Sequence, residues 1–257
     1  MSGTSLDGID VALLEVEEVE EGEGLPGVAS HSLRGWSLEG FRAFPYSDEQ
    51  RGRIREALQS GGPEDLARLH TALGRWFAKA ALAVLEAQAL DPGQISLIGS
   101  HGQTIWHDPP REGRIGSSLQ LGCPSTLAER TGIPVVSDFR SRDLAAGGHG
   151  APLVPWADQQ LFSSPDCSMA LQNLGGMGNV TWLPKTGDES PVLAFDTGPG
   201  VVLLDYAAER ASGGRLTYDR DGFLARKGRV SDTVLGRLMD HPFFLLYPPK
   251  STGRETF

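Results

Sequence analysis

The chain has 257 residues, enough for one large domain or two ordinary ones, and its 39% apolar content supports a packed core and argues against disorder. A formal net charge of −10 excludes nucleic acid as an expected partner, because phosphate backbones ask for basic patches. Cys123 and Cys167 make neither a disulfide framework nor a zinc site, and the sequence reads without a signal-peptide pattern or a long uncharged apolar run. The expectation is a soluble, cytoplasmic protein.

In chain order, MSGTSLDGID is a polar, glycine-containing turn that feeds an apolar strand over 9–16. The acidic run that follows, EVEEVEEGEGLPG, reads as a solvated hairpin loop, and a second strand fits 28–37. PEDLARLHTALGRWFAKAALAVLEAQAL is the clearest helix. Leu66, Leu69, Leu73, Phe77, Ala80 and Val84 recur at steps of three and four, and Pro63 and Asp91-Pro-Gly punctuate its ends. His70 and Trp76 beside that stripe read as packing residues. ISLIGSHGQT is a buried strand ending in a polar turn, SSLQLG a short strand, CPSTLAERTG a short helix, and IPVVSDF another strand. RSRDLAAGGHGAPLVP reads as a long Gly/Pro loop. The pattern then restarts with SMALQNLGGMGNVTWLP, PVLAFDTGPG and a helix VVLLDYAAERA. Strands alternating with helices predict an α/β fold.

The start of the chain and LQNLGGMGNVTWLP share one grammar, a glycine-rich polar turn with a strand behind it. The second copy also has a strand in front, so a leading strand is expected before the first. Two such turns predict two pseudo-duplicate lobes with a phosphate chain held between them by backbone N–H groups.

Gly3–Asp10 has two balanced explanations. Thr4 and Ser5 supply donors and Asp7 and Asp10 could order Mg²⁺; equally, Gly, Ser and Asp are ordinary hairpin-turn residues. In AFDTGPG, Asp196 stands at a strand end as a candidate general base, against the alternative of a helix cap. Leu203 occupies the third glycine position of a dinucleotide fingerprint, which therefore fails, and Lys250-Ser-Thr lacks the glycines of a P-loop. GSHGQT and DFRSRD place polar groups at strand ends, suited to sugar hydroxyls or a carboxylate. Arg142 is a natural anion partner, while Arg140 with Asp143 could equally be an ion pair holding the loop. His107 and His149 lack a second ligand at metal spacing.

Taken together, MSGTSLDGID, GSHGQTIWHDP, ERTGIPVVSDFRSRDLAAGGHGAPLVP, NLGGMGNVT, AFDTGPG and PPKSTGRETF resemble the anhydro-N-acetylmuramic acid kinase family, in its order and over essentially the whole chain. The resemblance implies an actin-like, ribonuclease H-like ATPase fold with two lobes, placed here at 1–135 and 136–257, the second incomplete. It implies ATP and Mg²⁺, and a reaction in which water opens the 1,6-anhydro ring and O6 takes the γ-phosphoryl group, giving N-acetylmuramic acid 6-phosphate for cell-wall recycling. It assigns Asp196 as the base that activates water. Gly3, Thr4, Ser5, Leu6, Asp7, Gly8, Ile9, Asp10, Gly175, Gly176, Asn179 and Gly198 become nucleotide-binding residues, with Asp7 and Asp10 near Mg²⁺. His101, Gln103, Thr104, Arg142 and Asp143 become sugar-binding residues. It also suggests a homodimer.

The chain departs from the family pattern at His149, usually Gln, at Cys123, usually Asp or Asn, and at Gln172-Asn-Leu, usually Leu-Asn-Ile. Family members continue beyond KSTGRE with an adenosine-binding motif, so the chain is expected to be truncated at both ends and weakly active or inactive as written. Two rivals remain: another actin-like sugar kinase or ATPase, and a fragment that only binds ligand.

Overall fold

A computed structural model of the protein describes residues 8–23, 29–108, 110, 113–250, 252 and 257. The chain divides into two compact units, Met1–Leu153 and Val154–Phe257.

The first unit opens with an antiparallel ribbon of β1 (Gly8–Glu23) and β2 (Ala29–Pro45), running from Gly8 opposite Pro45 to Glu23 opposite Ala29. The acidic run expected as a loop is therefore largely strand, and β2 continues past residue 37 to Pro45. A two-stranded ribbon explains the difference. Each backbone satisfies the other, so Glu15 and Glu17 stay exposed while the ladder continues beneath them. Register shifts at Leu13/Leu14 and Glu17/Glu18 let the ribbon twist.

Helix α1 (Asp48–Ser60) was not anticipated, although its signal is local. Ser47 and Gln50 form a capping box: the Ser47 N–H donates to Gln50 Oε1 at 2.8 Å and the Gln50 N–H to Ser47 Oγ at 3.2 Å. Ile54 and Ala57 turn its one apolar edge inward. Ser47→Ala is expected to destabilise the first unit by about 1 kcal/mol, read from a denaturant midpoint shift at constant m-value.

Helix α2 (Pro63–Ala87) carries the expected stripe. Leu69, Leu73, Phe77, Ala80 and Val84 are buried, and Leu69, Leu73, Phe77 and Ala80 join Ile9, Tyr46, Ile54, Leu121 and Leu127 in the main core. Trp76 packs against that core, edge-on to Tyr46 at 6.0 Å between ring centroids, as its reading as a packing residue requires. Next come β3 (Ile98–Ser100), β4 (Gln103–Asp108), β5 (Ser117–Leu121), α3 (Pro124–Thr131), β6 (Val135–Ser137) and α4 (Phe139–Ala145). β3 pairs with β6 in parallel, and β4 with β5 antiparallel. The stretch from Arg140, expected as loop, begins as α4. Asp138 turns the chain at φ +61°, and its Oδ1 accepts the Ser141 hydroxyl at 2.6 Å.

The second unit contains α5 (Val154–Phe162), the antiparallel sheet β7 (Met169–Leu174), β8 (Met177–Leu183) and β9 (Leu193–Pro199), then α6 (Val202–Ala211) and α7 (Asp232–Met239). Leu183, Val202, Ala208 and Phe243 are among its buried apolar side chains. Thr181 Oγ1 donates to Asp158 Oδ2 at 2.7 Å, joining β8 to α5. The mixed α/β class is as expected, but most strand pairs are antiparallel. Among the described residues no helix is long and apolar enough to cross a membrane.

Candidate active site

In the second unit, one sheet gathers Gly175, Gly176, Asn179, Asp196 and Gly198. Asn179 on β8 stands opposite Asn173 on β7 and Asp196 on β9, and Gly178 opposite Gly198. Gln172 ties the three strands together. Its Nε2 donates to Asn173 O at 2.9 Å, Asn179 O at 2.8 Å and Thr197 Oγ1 at 3.2 Å.

The turn at Gly175-Gly176 is bonded to the start of α6. The Gly200 and Val202 N–H groups donate to Gly176 O at 2.9 and 3.2 Å, and the Val201 N–H to Gly175 O at 3.0 Å. A trans peptide aims its N–H opposite to its carbonyl. With both glycine carbonyls turned toward α6, the Gly176 and Met177 N–H groups point to the other side of the turn. Gly200 is required sterically, since a Cβ there would lie 2.1 Å from Gly175 O.

Asp196 is half-buried in the middle of β9, not at a strand end as expected, because the strand continues to Pro199 past the register shift between Gly178 and Asn179. It is held twice. Its N–H donates to Lys250 O at 2.8 Å, and its Oδ2 accepts the Thr252 N–H at 2.8 Å. One carboxylate oxygen is thus bonded by a residue that lies beyond α6 in the chain. Lys250 and Thr252 are not among the expected site residues, since Lys250-Ser-Thr lacks the glycines of a P-loop. The PPKSTGRE pattern was the signal that marked them.

In the first unit, His101, Arg140, Asp143 and Gly150 form one cluster. The guanidinium of Arg140 donates from Nε to His101 Nε2 at 3.2 Å and from an Nη to Gly150 O at 2.8 Å. Asp143 Oδ2 accepts the Gly150 N–H at 2.7 Å. Among the described residues, then, Arg140 and Asp143 do not pair with each other. They grip the N–H and carbonyl of Gly150 and fix the GGHG loop. Arg142 is exposed on α4, Thr104 lies half-buried on β4 opposite Gln120, and Gln103 is fully buried. Asp143 and Gln103 are thus committed to building the unit, which leaves His101, Thr104 and Arg142 as its more accessible candidates. Gly8, Ile9 and Asp10 begin β1; Ile9 is core, Asp10 is exposed, and a Cβ on Gly8 would meet Phe44 O at 2.4 Å. Gly3, Thr4, Ser5, Leu6 and Asp7 lie outside the described residues.

Because a guanidinium only donates, His101 Nε2 is the bare nitrogen, and Nδ1 carries the hydrogen toward Gly102 O at 3.0 Å. Burial lowers the pKa of His101 below the ordinary 6.5, the Gly102 carbonyl opposes this, and Arg140's charge adds to it. Burial lowers His70 and His107 as well. A histidine held neutral binds fewer protons folded than unfolded. Its contribution is complete above the unfolded value and is lost as pH falls through and below it. The melting temperature is therefore expected to fall from about pH 7 to pH 5.5, less steeply in His101→Asn. Equal slopes in the two proteins would contradict the assigned protonation state.

Among the described residues no group of three or more His, Cys, Asp or Glu side chains could hold a metal on its own. The described structure is a mixed α/β protein with a carboxylate fixed within a strand whose sheet also carries a backbone-bonded glycine turn. Comparison with known proteins makes the class specific. The family model for anhydro-N-acetylmuramic acid kinase matches residues 1–257, and the chain belongs to that family. The anhydro-N-acetylmuramic acid kinase of Caldanaerobacter subterraneus subsp. tengcongensis is 45% identical over 263 residues, covering 100% of this chain and 64% of the relative. Those of Bacillus cereus strain AH820 and Bacillus thuringiensis subsp. konkukian are each 42% identical over 260 residues, covering 100% of this chain and 65% of the relative. The chain thus spans just under two thirds of the length of these curated relatives.

Proposed function

We propose that the protein is an ATP-dependent kinase of the actin-like class that opens the ring of 1,6-anhydro-N-acetylmuramic acid and phosphorylates O6. The observation that carries this reading is the fixed carboxylate of Asp196 on the same sheet as the Gly175-Gly176 turn. Asp196 takes a proton from water as the water oxygen bonds the anomeric carbon. The bond from that carbon to O6 breaks, and O6 gains charge and attacks the γ-phosphorus as ADP leaves. Positioning and electrostatics supply most of the acceleration.

In this reading the N–H groups of Gly176 and Met177 bond phosphate oxygens, Asn179 and Gly198 line the same turn, and the residues from Gly3 to Asp10 also bind nucleotide. Magnesium needs only one or two protein carboxylates when phosphates complete its shell, so exposed Asp10, with Asp7, fits it. When bound, Mg²⁺ supplies charge neutralisation on the nucleotide. His101, Thr104 and Arg142 are the sugar contacts, with Gln103 and Asp143 supporting them from within the first unit. The setting is cytoplasmic cell-wall sugar recycling by a homodimer. The test is the mass of the sugar product after incubation with Mg-ATP: one phosphoryl group and one added water. A phosphorylated sugar with its anhydro ring intact would reject the ring-opening step.

A further inference from the structure

We propose that Lys250 is a positioning residue for Asp196, acting through the backbone that follows it. This inference rests on Asp196 being the base. Asp196 bonds the Lys250–Thr252 segment at both its N–H and its carboxylate, each at 2.8 Å. The direction of that carboxylate therefore depends on where Lys250 and Thr252 lie, and the Lys250 side chain anchors them. Its Nζ donates to Phe243 O at 3.2 Å and sits 4.5 Å from the Phe243 ring centroid, an ammonium held by a carbonyl and a π-face together. Phe243 is itself buried, and its neighbour Phe244 lies against β9 so closely that a Cβ on Gly198 would come within 2.8 Å of its ring. The anchor and the base thus share one rigid support. Lys250 is a poor choice for a purely structural role at this place, since a cation on a backbone carbonyl costs desolvation that an apolar side chain would avoid. Its specific effect is to fix the height of the Lys250 carbonyl and the Thr252 N–H along β9.

A base displaced by a fraction of an ångström loses rate without losing ligand. Lys250→Met, which keeps the length and removes the charge, is expected to lower kcat by about ten- to a hundredfold while leaving the KM for ATP and for sugar within about twofold. Lys250→Arg should recover most of kcat. The contact has a readout apart from activity: the Thr252 amide proton shift should follow the ionisation of Asp196 in the wild-type protein and cease to do so in Lys250→Met. Unchanged kcat with an unchanged amide titration, or a rise in KM alone, would overturn the proposal. Should Lys250→Met fail to fold, Phe243→Leu removes the ring and keeps the carbonyl, and the same two readouts apply. Turnover by Asp196→Asn would overturn the base assignment and the catalytic half of this inference with it, whereas the amide titration would still decide the contact.

Discussion

Asp196→Asn is expected to reduce turnover by about two to four orders of magnitude, the usual worth of a general base, or about 3–5 kcal/mol of barrier. The substitution is close to isosteric. Its amide oxygen can still accept the Thr252 N–H, and the strand still donates to Lys250 O, so the fold around it should survive. What disappears is the ability to take a proton from water. The expected signature is an unchanged melting temperature and near-unchanged ATP binding, with no product carrying both a phosphoryl group and a water. If the variant keeps even a tenth of the wild-type rate, another group is the base.

Gly200→Ala should cost about 1–3 kcal/mol of stability in the second unit, with loss of ATP affinity. The new methyl would sit 2.1 Å from Gly175 O, far inside contact distance, so the glycine turn and the start of α6 must separate. That separation breaks the bonds from Gly200, Val201 and Val202 that fix both glycine carbonyls. The N–H groups on the other side of the turn then lose their direction. Gly176→Ala is the informative control, because a Cβ there meets nothing within 4 Å. It should leave stability nearly unchanged and still weaken ATP binding by crowding the phosphates. If Gly176→Ala binds ATP normally, the phosphates lie elsewhere. Isothermal titration with thermal melts on the three proteins separates these outcomes.

Long, strongly patterned elements were legible in the sequence. Helix α2 showed its stripe from Leu66 to Val84, and the Gly175-Gly176 turn between two strands matched its grammar. Helix α1 was missed because few of its side chains are buried and its start depends on one Ser–Gln exchange. The ion pair weighed as one alternative for Arg140 and Asp143 does not form, and charge alone cannot reveal that both reach for the backbone of Gly150. The same limit hid the bond from Thr252 to Asp196, which joins residues far apart in sequence through a main-chain N–H that no side-chain pattern encodes. Cys123, a departure from the family pattern, proves locally conservative. Its sulfur caps α3 by accepting the Thr126 N–H at 3.4 Å, the task an Asp or Asn would perform there. Gln172 likewise replaces an apolar residue with hydrogen bonds that reach both other strands of the sheet, at Asn179 O and Thr197 Oγ1.

The uneven distribution of buried side chains bears on how the protein would wear out. Ile54, Leu73 and Leu127 lie at 0–1% exposure in the first unit, whereas the sheet that holds Asp196 is backed by only a few buried residues. Backbone amides there should exchange with solvent deuterium sooner than those of α2, and proteases should find that sheet first. A nucleotide that closes on the glycine turn would slow both processes, by about 2.7 kcal/mol when present at a hundred times its dissociation constant. Storage with nucleotide, rather than at low temperature alone, is the practical consequence for keeping Asp196 in place.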